Sequence, residues 1–347
     1  MSIEQVKKEL KEYDGKPIRI MEICASHTAS VFKHGIRNLL SPRIQLISGP
    51  GCPICVTSPA YIDRLLEYAL MENYCVLTFG DILKVRGSKM SLEEAREKGA
   101  RVQVLYSPLT AVKAALEHRE INYIFAAIGF ETAAPIYALF MEAIRELNIK
   151  NLKLMTSIKT ILPALTFICD TEKEIDGFLC PGHISVVTGS AVYQELCLHY
   201  QKPFVITGFE GDHILTAIYE IVQQIQQGRP GVKNFYSSVV MEEGNKRALE
   251  LMDQYYDLLP DYWRGIGRLE YSGFRLKQEY DRFDAGSSFL DPEETLPMGC
   301  CCKDVIVGRI QPIECMMFQK ICTPKNAIGS CMGSMEGVCG IWFRSCN

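Results

Sequence analysis

The chain has 347 residues, of which 48% are hydrophobic and 22% charged, so it is long enough to bury the cores of two or three domains. Its formal net charge of −4 and the lack of a Lys/Arg-rich patch argue against nucleic acid as a partner. No apolar run approaches the length of a membrane span, and the first residues contain no apolar signal core. We therefore expect a cytoplasmic protein that does not bind a membrane.

The chain contains fifteen cysteines, an unusual number for the reducing compartment that we expect. Disulfide frameworks are rare there, so we interpret the important thiols as redox groups or metal ligands. Eight of the fifteen lie between Cys300 and Cys346. Four others lie within apolar or mixed segments, where buried structural thiols are the simpler interpretation: Cys75, Cys169, Cys180 and Cys197.

Short apolar strands alternate with helices along most of the chain, which is the pattern of a parallel, doubly wound sheet. After an amphipathic helix at the N-terminus, strands are predicted at 18–23, 43–48, 74–81, 101–106, 123–129 and 152–158, within 177–189, and at 232–240. Helices are predicted at 29–40, 61–71, 109–118 and 247–256. The glycines of 261–276 predict turns between short strands.

An internal similarity links residues 123–147 and 202–225, since both contain a strand, Gly-Phe-Glu and a helix. A strand-glycine-helix junction can recur by chance in α/β proteins, but the shared Phe-Glu favours a duplication. The predicted fold class is therefore α/β, with two Rossmann-like parallel-sheet units and a small, irregular, cysteine-rich C-terminal domain. The predicted domain boundaries are 1–150, 151–230 and 231–347.

Two predicted strands are each followed by cysteines. Cys24 comes after the strand at 18–23, and the Cys52/Cys55 pair comes after the strand at 43–48, within Gly-Pro-Gly-Cys-Pro-Ile-Cys-Val. Ligands bind at the carboxyl ends of parallel strands, so two such loops can bring three sulfur atoms together. A CxxC pair alone fits a redox dithiol, half of a metal site or a rigid turn.

His27 is a candidate partner for Cys24, because it follows that residue by three positions. It is predicted either to bond to or accept a proton from the thiol, or to be an ordinary satisfied polar residue. Other side chains are less specific candidates for the same cleft, and the two glutamates among them can instead cap the helices beside them. They are His183, His213, Glu131 and Glu210.

The last 49 residues read GCCCKDVIVGRIQPIECMMFQKICTPKNAIGSCMGSMEGVCGIWFRSCN and show little periodicity. An iron–sulfur cluster is favoured there, because thiolates and glycine-rich turns suit it. Zinc is less favoured, since zinc sites usually contain close CxxC knuckles and this segment has none. A tail without metal is the remaining alternative. The candidate ligands are separated by seven, nine and eight positions: Cys315, Cys322, Cys331 and Cys339. Their competitors are Cys300, Cys301, Cys302 and Cys346.

Taken together, these motifs resemble the HypD family of hydrogenase maturation factors over nearly the whole chain. Two departures are the replacement of the family's Cys-Gly-Thr-His by Cys24-Ala25-Ser26-His27 and the additional Cys301 and Cys346. A third is Met-Gly-Ser-Met-Glu-Gly in place of Met-Val-Ser-Ser-Glu-Gly. The motifs that carry the resemblance are MEICASHT (21–28), GPGCPICV (49–56), GFETAAP (129–135), PGHIS (181–185), WRGIG (263–267) and ECMMFQKICTPKNAIGSCMGSMEGVCG (314–340).

The resemblance implies a scaffold that assembles the Fe(CN)2CO unit of [NiFe]-hydrogenase with a small HypC-like chaperone. A HypE-like partner, charged by HypF, would supply cyanide. Cys24 would hold the transferred iron together with a chaperone cysteine. From its position beside Cys24, and not from the resemblance, we infer that His27 steadies the thiolate or polarises the incoming group. Cys52 and Cys55 would form a redox-active dithiol. A [4Fe-4S] cluster bound by the four candidate ligands of the tail would exchange electrons with that dithiol.

Two other functions stay open at this point. The chain can be an iron–sulfur-dependent thiol oxidoreductase that delivers no iron, or a structural adaptor that only joins the two partners. Whether it is an enzyme or a scaffold that transfers a cyano ligand reductively is left open by the residues. We expect a monomer in the absence of partners.

Overall fold

The computed structural model describes residues 1–288, 290 and 298–346, so the third predicted domain, 231–347, includes positions outside the described residues. The strands are β1 (Ile18–Glu22), β2 (Ile44–Ser48), β3 (Tyr74–Thr78), β4 (Val102–Val104), β5 (Asn122–Gly129), β6 (Leu152–Lys159), β7 (Gly177–Pro181), β8 (Phe204–Thr207), β9 (Val232–Asn234), β10 (Tyr256–Trp263) and β11 (Gly267–Leu276).

The helices lie between and beside these strands. They are α1 (Ile3–Lys11), α2 (Ala25–Lys33), α3 (Pro59–Leu70), α4 (Leu92–Glu97), α5 (Pro108–Glu117), α6 (Ala134–Glu146), α7 (Ile161–Thr171), α8 (Gly182–Thr188), α9 (Gln194–Tyr200), α10 (Gly211–Gln227), α11 (Lys246–Tyr255), α12 (Cys302–Ile306), α13 (Ser330–Gly333) and α14 (Val338–Ser345). Short 3-10 helices occur at Ile36–Leu39, Gly80–Ile82, Ala191–Tyr193, Gln278–Phe283 and Pro312–Glu314. Within the described ranges, no helix is long and apolar enough to cross a membrane.

The first sheet has five strands in the order β2-β1-β7-β8-β9, and every neighbouring pair is parallel. Its inner strands are almost continuous runs of buried residues: all of β7 and β8 and four of the five residues of β1 are buried. Such runs are expected where helices cover both faces of a parallel sheet. The α/β class predicted from the alternation of strands and helices is therefore confirmed.

The second sheet has six strands in the order β10-β11-β6-β5-β3-β4. The four strands β6, β5, β3 and β4 are parallel, whereas β11 runs antiparallel to both β6 and β10. The sheet is thus parallel at one side and ends in an antiparallel hairpin at the other.

The two sheets do not follow the predicted domain ranges. Strands from 18–48 and 177–234 form the first sheet, and strands from 74–159 and 256–276 form the second. The predicted range 1–150 therefore contributes strands to both sheets. A buried parallel strand has the same kind of apolar sequence whichever sheet it joins, so the local pattern does not show which strands of 1–150 belong to which sheet. The two Gly-Phe-Glu junctions lie one in each sheet, after β5 and after β8.

Several predicted elements differ in extent from the structure. The helix predicted at 29–40 is two helices, because Gly35 breaks it with a φ of +61°. The segment 177–189 is β7 followed by α8, and the strand predicted at 232–240 ends at Asn234. Residues 261–276 belong to the long hairpin of β10 and β11 instead of several short strands.

Lys159, the last residue of β6, anchors this hairpin to the sheet. Its buried Nζ donates to Asp261 Oδ2 at 2.6 Å and to the carbonyl oxygen of Tyr262 at 2.7 Å, and Arg275 Nη2 donates to Asp261 Oδ1 at 2.7 Å. Burial lowers the pKa of Lys159. Burial raises the pKa of Asp261, but the two cations outweigh that effect and hold it below its ordinary value.

Candidate functional site

A cleft of about 460 Å³ opens at the carboxyl ends of the parallel strands of both sheets. This is the edge at which ligands bind to open α/β sheets. We call residues 298–346 the tail; it supplies one residue, Glu336, to the wall of the cleft. The other lining residues include Ile23, Cys24 and Ser26 after β1, Gly51 and Pro53 after β2, Phe79 after β3, Tyr106 after β4, Phe130 and Thr132 after β5, and His183 at the start of α8.

Cys24 lies on the cleft wall and is the N-cap residue of α2, with φ −126° and ψ 130°. Burial raises the pKa of its thiol, while the backbone N–H groups of Ser26 and His27 favour the thiolate and act in the opposite direction. A thiolate here would accept hydrogen bonds from the first turn of the helix, where the N–H groups have no partner within the helix. Cys24 is therefore placed to bind a ligand through sulfur.

The replacement of the family's glycine by Ala25 is conformationally mild. Ala25 is the first residue of α2, so its backbone is helical and needs no positive φ. Its N–H points to the carbonyl oxygen of Gly51, 3.4 Å away. The loop that contains Cys52 thus lies directly beside the start of α2.

His27 is fully buried and lies behind Cys24 instead of on the cleft wall. Its Nε2 is 3.3 Å from the carbonyl oxygen of Thr207 and 3.2 Å from that of Gly208. Both partners are acceptors, so Nε2 carries the hydrogen and Nδ1 is a free acceptor, without a hydrogen-bond partner in the described part of the chain. Burial lowers the pKa of His27 to about 4, and the ring is neutral at neutral pH.

The other candidates from the sequence are distributed unevenly around the cleft. His183 lines it and stacks on Phe209, with 4.2 Å between the ring centroids. Glu131 is buried, and its Oε1 accepts hydrogen bonds from Thr160 Oγ1 at 2.7 Å and from the N–H of Ile161 at 2.8 Å. Glu131 therefore caps α7, and not α6, which is the helix that follows it in the chain. The last two candidates have exposed side chains outside the cleft lining: Glu210 and His213.

Cys52 and Cys55 are joined by a disulfide bond, with 5.3 Å between their Cα atoms, and both residues are buried. Gly51 brings their loop against Cys24, because a Cβ at position 51 would lie 2.6 Å from the Cα of Cys24. Only glycine fits such a close approach of two backbones. The three cysteines that we expected to converge lie on adjoining loops.

Helix α13 of the tail packs against the disulfide loop. Ser330 Oγ donates to the carbonyl oxygen of Cys55 at 2.8 Å, and Ser334 Oγ lies 3.6 Å from Cys52 Sγ. Cys331, the residue after Ser330, belongs to the thiol group of the tail and is fully buried. The disulfide therefore belongs to the same packed core as six cysteines of the tail: Cys300, Cys302, Cys315, Cys322, Cys331 and Cys339.

Helix α14 fixes the tail to the helix that Cys24 caps. The rings of Phe32 in α2 and Trp342 in α14 meet edge to face at 4.9 Å between centroids. The guanidinium of Arg37 lies 4.9 Å from the centre of the Trp342 ring. These contacts hold the tail beside both cysteine loops of the cleft.

Seven cysteines of the tail lie close together, one of them, Cys331, within α13 itself. Contacts between thiols join Cys300 to Cys302, Cys302 to Cys331, and Cys331 to Cys339, and a further contact joins Cys301 to Cys315. Six of the seven line a small cavity, and Cys331 lies outside that lining: Cys300, Cys301, Cys302, Cys315, Cys322 and Cys339. Cys346 is exposed at the end of α14.

Two features of this group suit an iron–sulfur cluster. The N–H of Ile328 donates to Cys322 Sγ at 3.4 Å, as backbone groups do around cluster sulfur atoms. At Gly329 a Cβ would lie 2.5 Å from Cys302 Sγ and 2.8 Å from Cys300 Sγ, so a glycine is needed beside the thiols. Within the described ranges, however, no set of three or more His, Cys, Asp or Glu side chains is arranged to hold a metal ion. The four predicted ligands stay a prediction, and three of their competitors also line the cavity: Cys300, Cys301 and Cys302.

The contribution of the tail to the cleft was not predicted from the sequence. Glu336 lies on the cleft wall, and Ser330 and Ser334 lie against the disulfide loop. All three belong to the segment GSCMGSMEGVCG, in which only the cysteines were candidate site residues. The available signal was their position between two candidate ligands.

Fold and site together define a class of α/β protein in which a cleft at the carboxyl ends of parallel strands from two sheets contains one cysteine, Cys24, and lies beside a disulfide and a largely buried group of cysteines. The family model of HypD, described as "Hydrogenase formation hypA family", matches residues 1–346. The chain belongs to the HypD family.

Its relatives are similar along almost their whole length. The chain is 36% identical to the hydrogenase maturation factor HypD of Rhodobacter capsulatus over 339 residues, which cover 95% of this chain and 89% of the relative. It is 36% identical to HypD of Azotobacter vinelandii over 335 residues, covering 94% and 88%. It is 34% identical to HypD of Escherichia coli over 337 residues, covering 95% and 89%.

Proposed function

We propose that this protein is a hydrogenase maturation factor that holds iron at Cys24 while the Fe(CN)2CO unit is assembled, and that Cys52, Cys55 and the tail supply electrons. The observation that carries the proposal is the contact between the disulfide loop and α13. Ser330 touches Cys55, and its neighbour Cys331 touches the thiols of the tail. Electrons would therefore cross only the packed residues of α13 between the thiols of the tail and the disulfide.

The tail would hold the resident cofactor, a [4Fe-4S] cluster. The predicted ligands are Cys315, Cys322, Cys331 and Cys339, and their competitors at the cavity are Cys300, Cys301 and Cys302. The cluster, when bound, would supply single electrons. The protein's own contribution is a buried site in which glycines and backbone N–H groups surround the sulfur atoms.

Cys24 would bind the iron that is the cargo of the reaction. Low-spin iron that carries cyanide and CO favours soft thiolate ligands. The start of α2 offers N–H groups to the thiolate, and the cleft leaves room for the small ligands and for a second thiolate from a HypC-like chaperone. His27, neutral and fixed to two carbonyl groups, would hold the first turn of α2 in position.

The dithiol form of Cys52 and Cys55 would deliver the electrons for cyano transfer. A thiocyanate group on a HypE-like donor needs two electrons and one proton to become a thiol and a cyanide ion, and the cyanide binds iron. The dithiol supplies two electrons and two protons as it closes to the disulfide, and the second proton leaves to solvent. Two electrons and two protons then restore the dithiol, and a cluster held by the cysteines of the tail would supply the electrons.

The proposal is tested by anaerobic co-production with HypC-like and HypE-like partners, followed by Mössbauer and infrared spectroscopy. We expect a cubane signal together with cyanide and CO stretches. Cys24→Ala should lose those stretches and keep the cubane signal, while the matched control Cys346→Ala, at an exposed cysteine, should keep both. Zinc as the sole metal, or unchanged stretches in Cys24→Ala, would refute the proposal.

A thiol oxidoreductase without iron delivery is the second candidate, and the disulfide beside the tail is the observation that favours it. That protein should keep its thiol–disulfide activity in Cys24→Ala and never show cyanide or CO stretches. An adaptor that only joins its partners should keep its function when Cys52 and Cys55 are both replaced by serine.

A further inference from the structure

The two sulfur atoms of the Cys52–Cys55 disulfide have different surroundings. Cys52 Sγ accepts the backbone N–H of Cys55 at 3.2 Å and lies 3.6 Å from the hydroxyl oxygen of Ser334. Cys55 Sγ instead lies 4.0 Å from the carbonyl oxygen of Ser330, which is itself an acceptor. Hydrogen-bond donors therefore surround one sulfur and an acceptor faces the other.

The hydroxyl of Ser334 has one evident acceptor. The side chain is buried, and its oxygen already accepts the N–H of Glu336 at 3.2 Å. The sulfur atoms of a disulfide carry no hydrogen, so the contact with Cys52 requires that Ser334 donates. The main chain fixes the serine, because its N–H donates to Ser330 and its carbonyl oxygen accepts from Gly337.

We propose that Ser334 is a positioning residue for the Cys52–Cys55 pair, which makes Cys52 the sulfur that carries the negative charge when the disulfide opens. A thiolate gains more from a donor than a disulfide sulfur does, because hydrogen bonds to charged groups are the stronger ones. Cys55, which faces a carbonyl oxygen, is suited to remain a protonated thiol that donates to Ser330. The inference rests on the redox role given to this pair in the proposed function.

Reduction by a small dithiol then has a defined direction. A thiolate of the reductant attacks Cys55 Sγ, the S–S bond breaks, and the electron pair moves to Cys52 Sγ, between its two donors. The second thiolate of the reductant displaces Cys55 Sγ, which takes a proton from solvent. The reductant ends as its disulfide, and two electrons have passed to the cysteine pair.

The test is the reduction potential of this pair in the full chain. The protein is equilibrated anaerobically in dithiothreitol buffers, and the state of Cys52 and Cys55 is counted by differential alkylation and peptide mass spectrometry. Ser334→Ala should shift the dithiol–disulfide equilibrium about tenfold toward the disulfide, which is about 30 mV more negative for two electrons. Ser334→Thr, which keeps the hydroxyl, should have a reduction potential close to that of the natural chain.

Ser330→Ala is the matched control. It also removes a buried serine hydroxyl that bonds beside the loop, but that hydroxyl bonds to the carbonyl oxygen of Cys55 and not to sulfur. A merely structural role of Ser334 predicts the same potential in both alanine variants, and that result would overturn the inference. Thermal unfolding of both variants shows whether each one is folded.

A measurement on the unaltered chain covers the case in which Ser334→Ala does not fold. After reduction, a limiting amount of iodoacetamide should modify Cys52 before Cys55, because only a thiolate reacts rapidly. Modification of Cys55 first would overturn the inference. If the pair does not cycle between disulfide and dithiol at all, the redox role in the proposed function fails; if it cycles with an unchanged potential in Ser334→Ala, only the role of Ser334 fails.

Discussion

In the cleft, the cysteine loops follow strands whose hydrogen bonds continue to the loops themselves. The N–H of Ile23 donates to Leu179 at 3.1 Å, and that of Gly49 donates to Glu22 at 2.8 Å, so neighbouring strands fix the backbone next to each cysteine. In the tail, the cysteines lie on turns, on α12 and α13, which have five and four residues, and at the start of α14, which has eight. Helices this short are not stable by themselves. The cleft thus depends on sheet register, whereas the tail depends on contacts among its thiols and on what they bind.

The largest effect that follows from this difference is expected in the tail. Combining Cys322→Ser with Cys339→Ser should prevent cluster binding, and the segment 298–346 should then lose its order, because metal-binding energy is folding energy for such segments. Anaerobic limited proteolysis with mass spectrometry should show cleavage within the tail while residues of both sheets stay protected. The control Cys75→Ser, in β3, should leave the tail protected. If the tail of the double variant resists proteolysis as well as that of the natural chain, the tail stays folded by its packing alone and does not need the cluster.

The sheet region should respond most to loss of the carboxylate that joins the hairpin to β6. Asp261→Ala leaves the buried cations Lys159 and Arg275 without their partner, and removal of one member of a buried ion pair costs about 3–5 kcal/mol. Urea unfolding measures this cost. The control Glu270→Ala removes an exposed carboxylate from the same hairpin and should change the free energy of unfolding by less than about 1 kcal/mol. Similar values for the two variants would contradict the anchoring role.

Acid should weaken the cleft through His27. Burial lowers its pKa from 6.5 to about 4. In the unfolded chain, His27 therefore takes up a proton as the pH falls through about 6.5, whereas in the folded chain its ring stays neutral until about pH 4. Stability is therefore lost between these values, by about 3 kcal/mol in all, since one pKa unit corresponds to about 1.4 kcal/mol. Urea midpoints measured from pH 7 to pH 4 should show this slope in the natural chain.

The slope should be smaller in His27→Gln, which cannot gain a proton but keeps an amide to donate to the carbonyl groups of Thr207 and Gly208. His199→Gln, at an exposed histidine, is the control and should keep the full slope. A slope unchanged by His27→Gln would mean that another group causes the acid sensitivity.

The smallest effect concerns the additional cysteine, Cys301. It is partly exposed and touches Cys315, whereas its buried neighbour Cys302 contacts both Cys300 and Cys331. Cys301→Ser should leave the iron content unchanged and alter the free energy of unfolding by no more than about 0.5 kcal/mol. Cys302→Ser should be clearly more destabilising. Loss of iron in Cys301→Ser would make this residue a ligand and revise the predicted set.

The sequence predicted the regular region better than the irregular one. The apolar strands before Cys24 and before the Cys52/Cys55 pair are correct to within a residue, because buried strands have a strong local signal. Which sheet each strand joins was not predictable, since pairing between distant segments such as β1 and β7 leaves no local trace. The burial of His27 was also hidden, because it depends on carbonyl groups 180 residues away.

The tail could be predicted only as a collection of ligands. Its turns have no periodicity, so nothing in the local sequence shows that Glu336 lies in the cleft or that Ser334 touches Cys52. The seven, nine and eight spacing of the four candidate cysteines did not distinguish Cys331 from Cys300. Those relations arise only when α14 packs on α2.

The packing of the tail on α2 and on the disulfide loop has a consequence during synthesis. Both sheets can be completed once β11 has left the ribosome, but two residues beside the cleft are translated later: Glu336, which lies on the cleft wall, and Ser334, whose hydroxyl lies beside Cys52. A nascent chain therefore passes through a stage with finished sheets and an open, incomplete cleft. The cleft wall is complete only after the cysteine-rich tail has packed on α2 and on the disulfide loop.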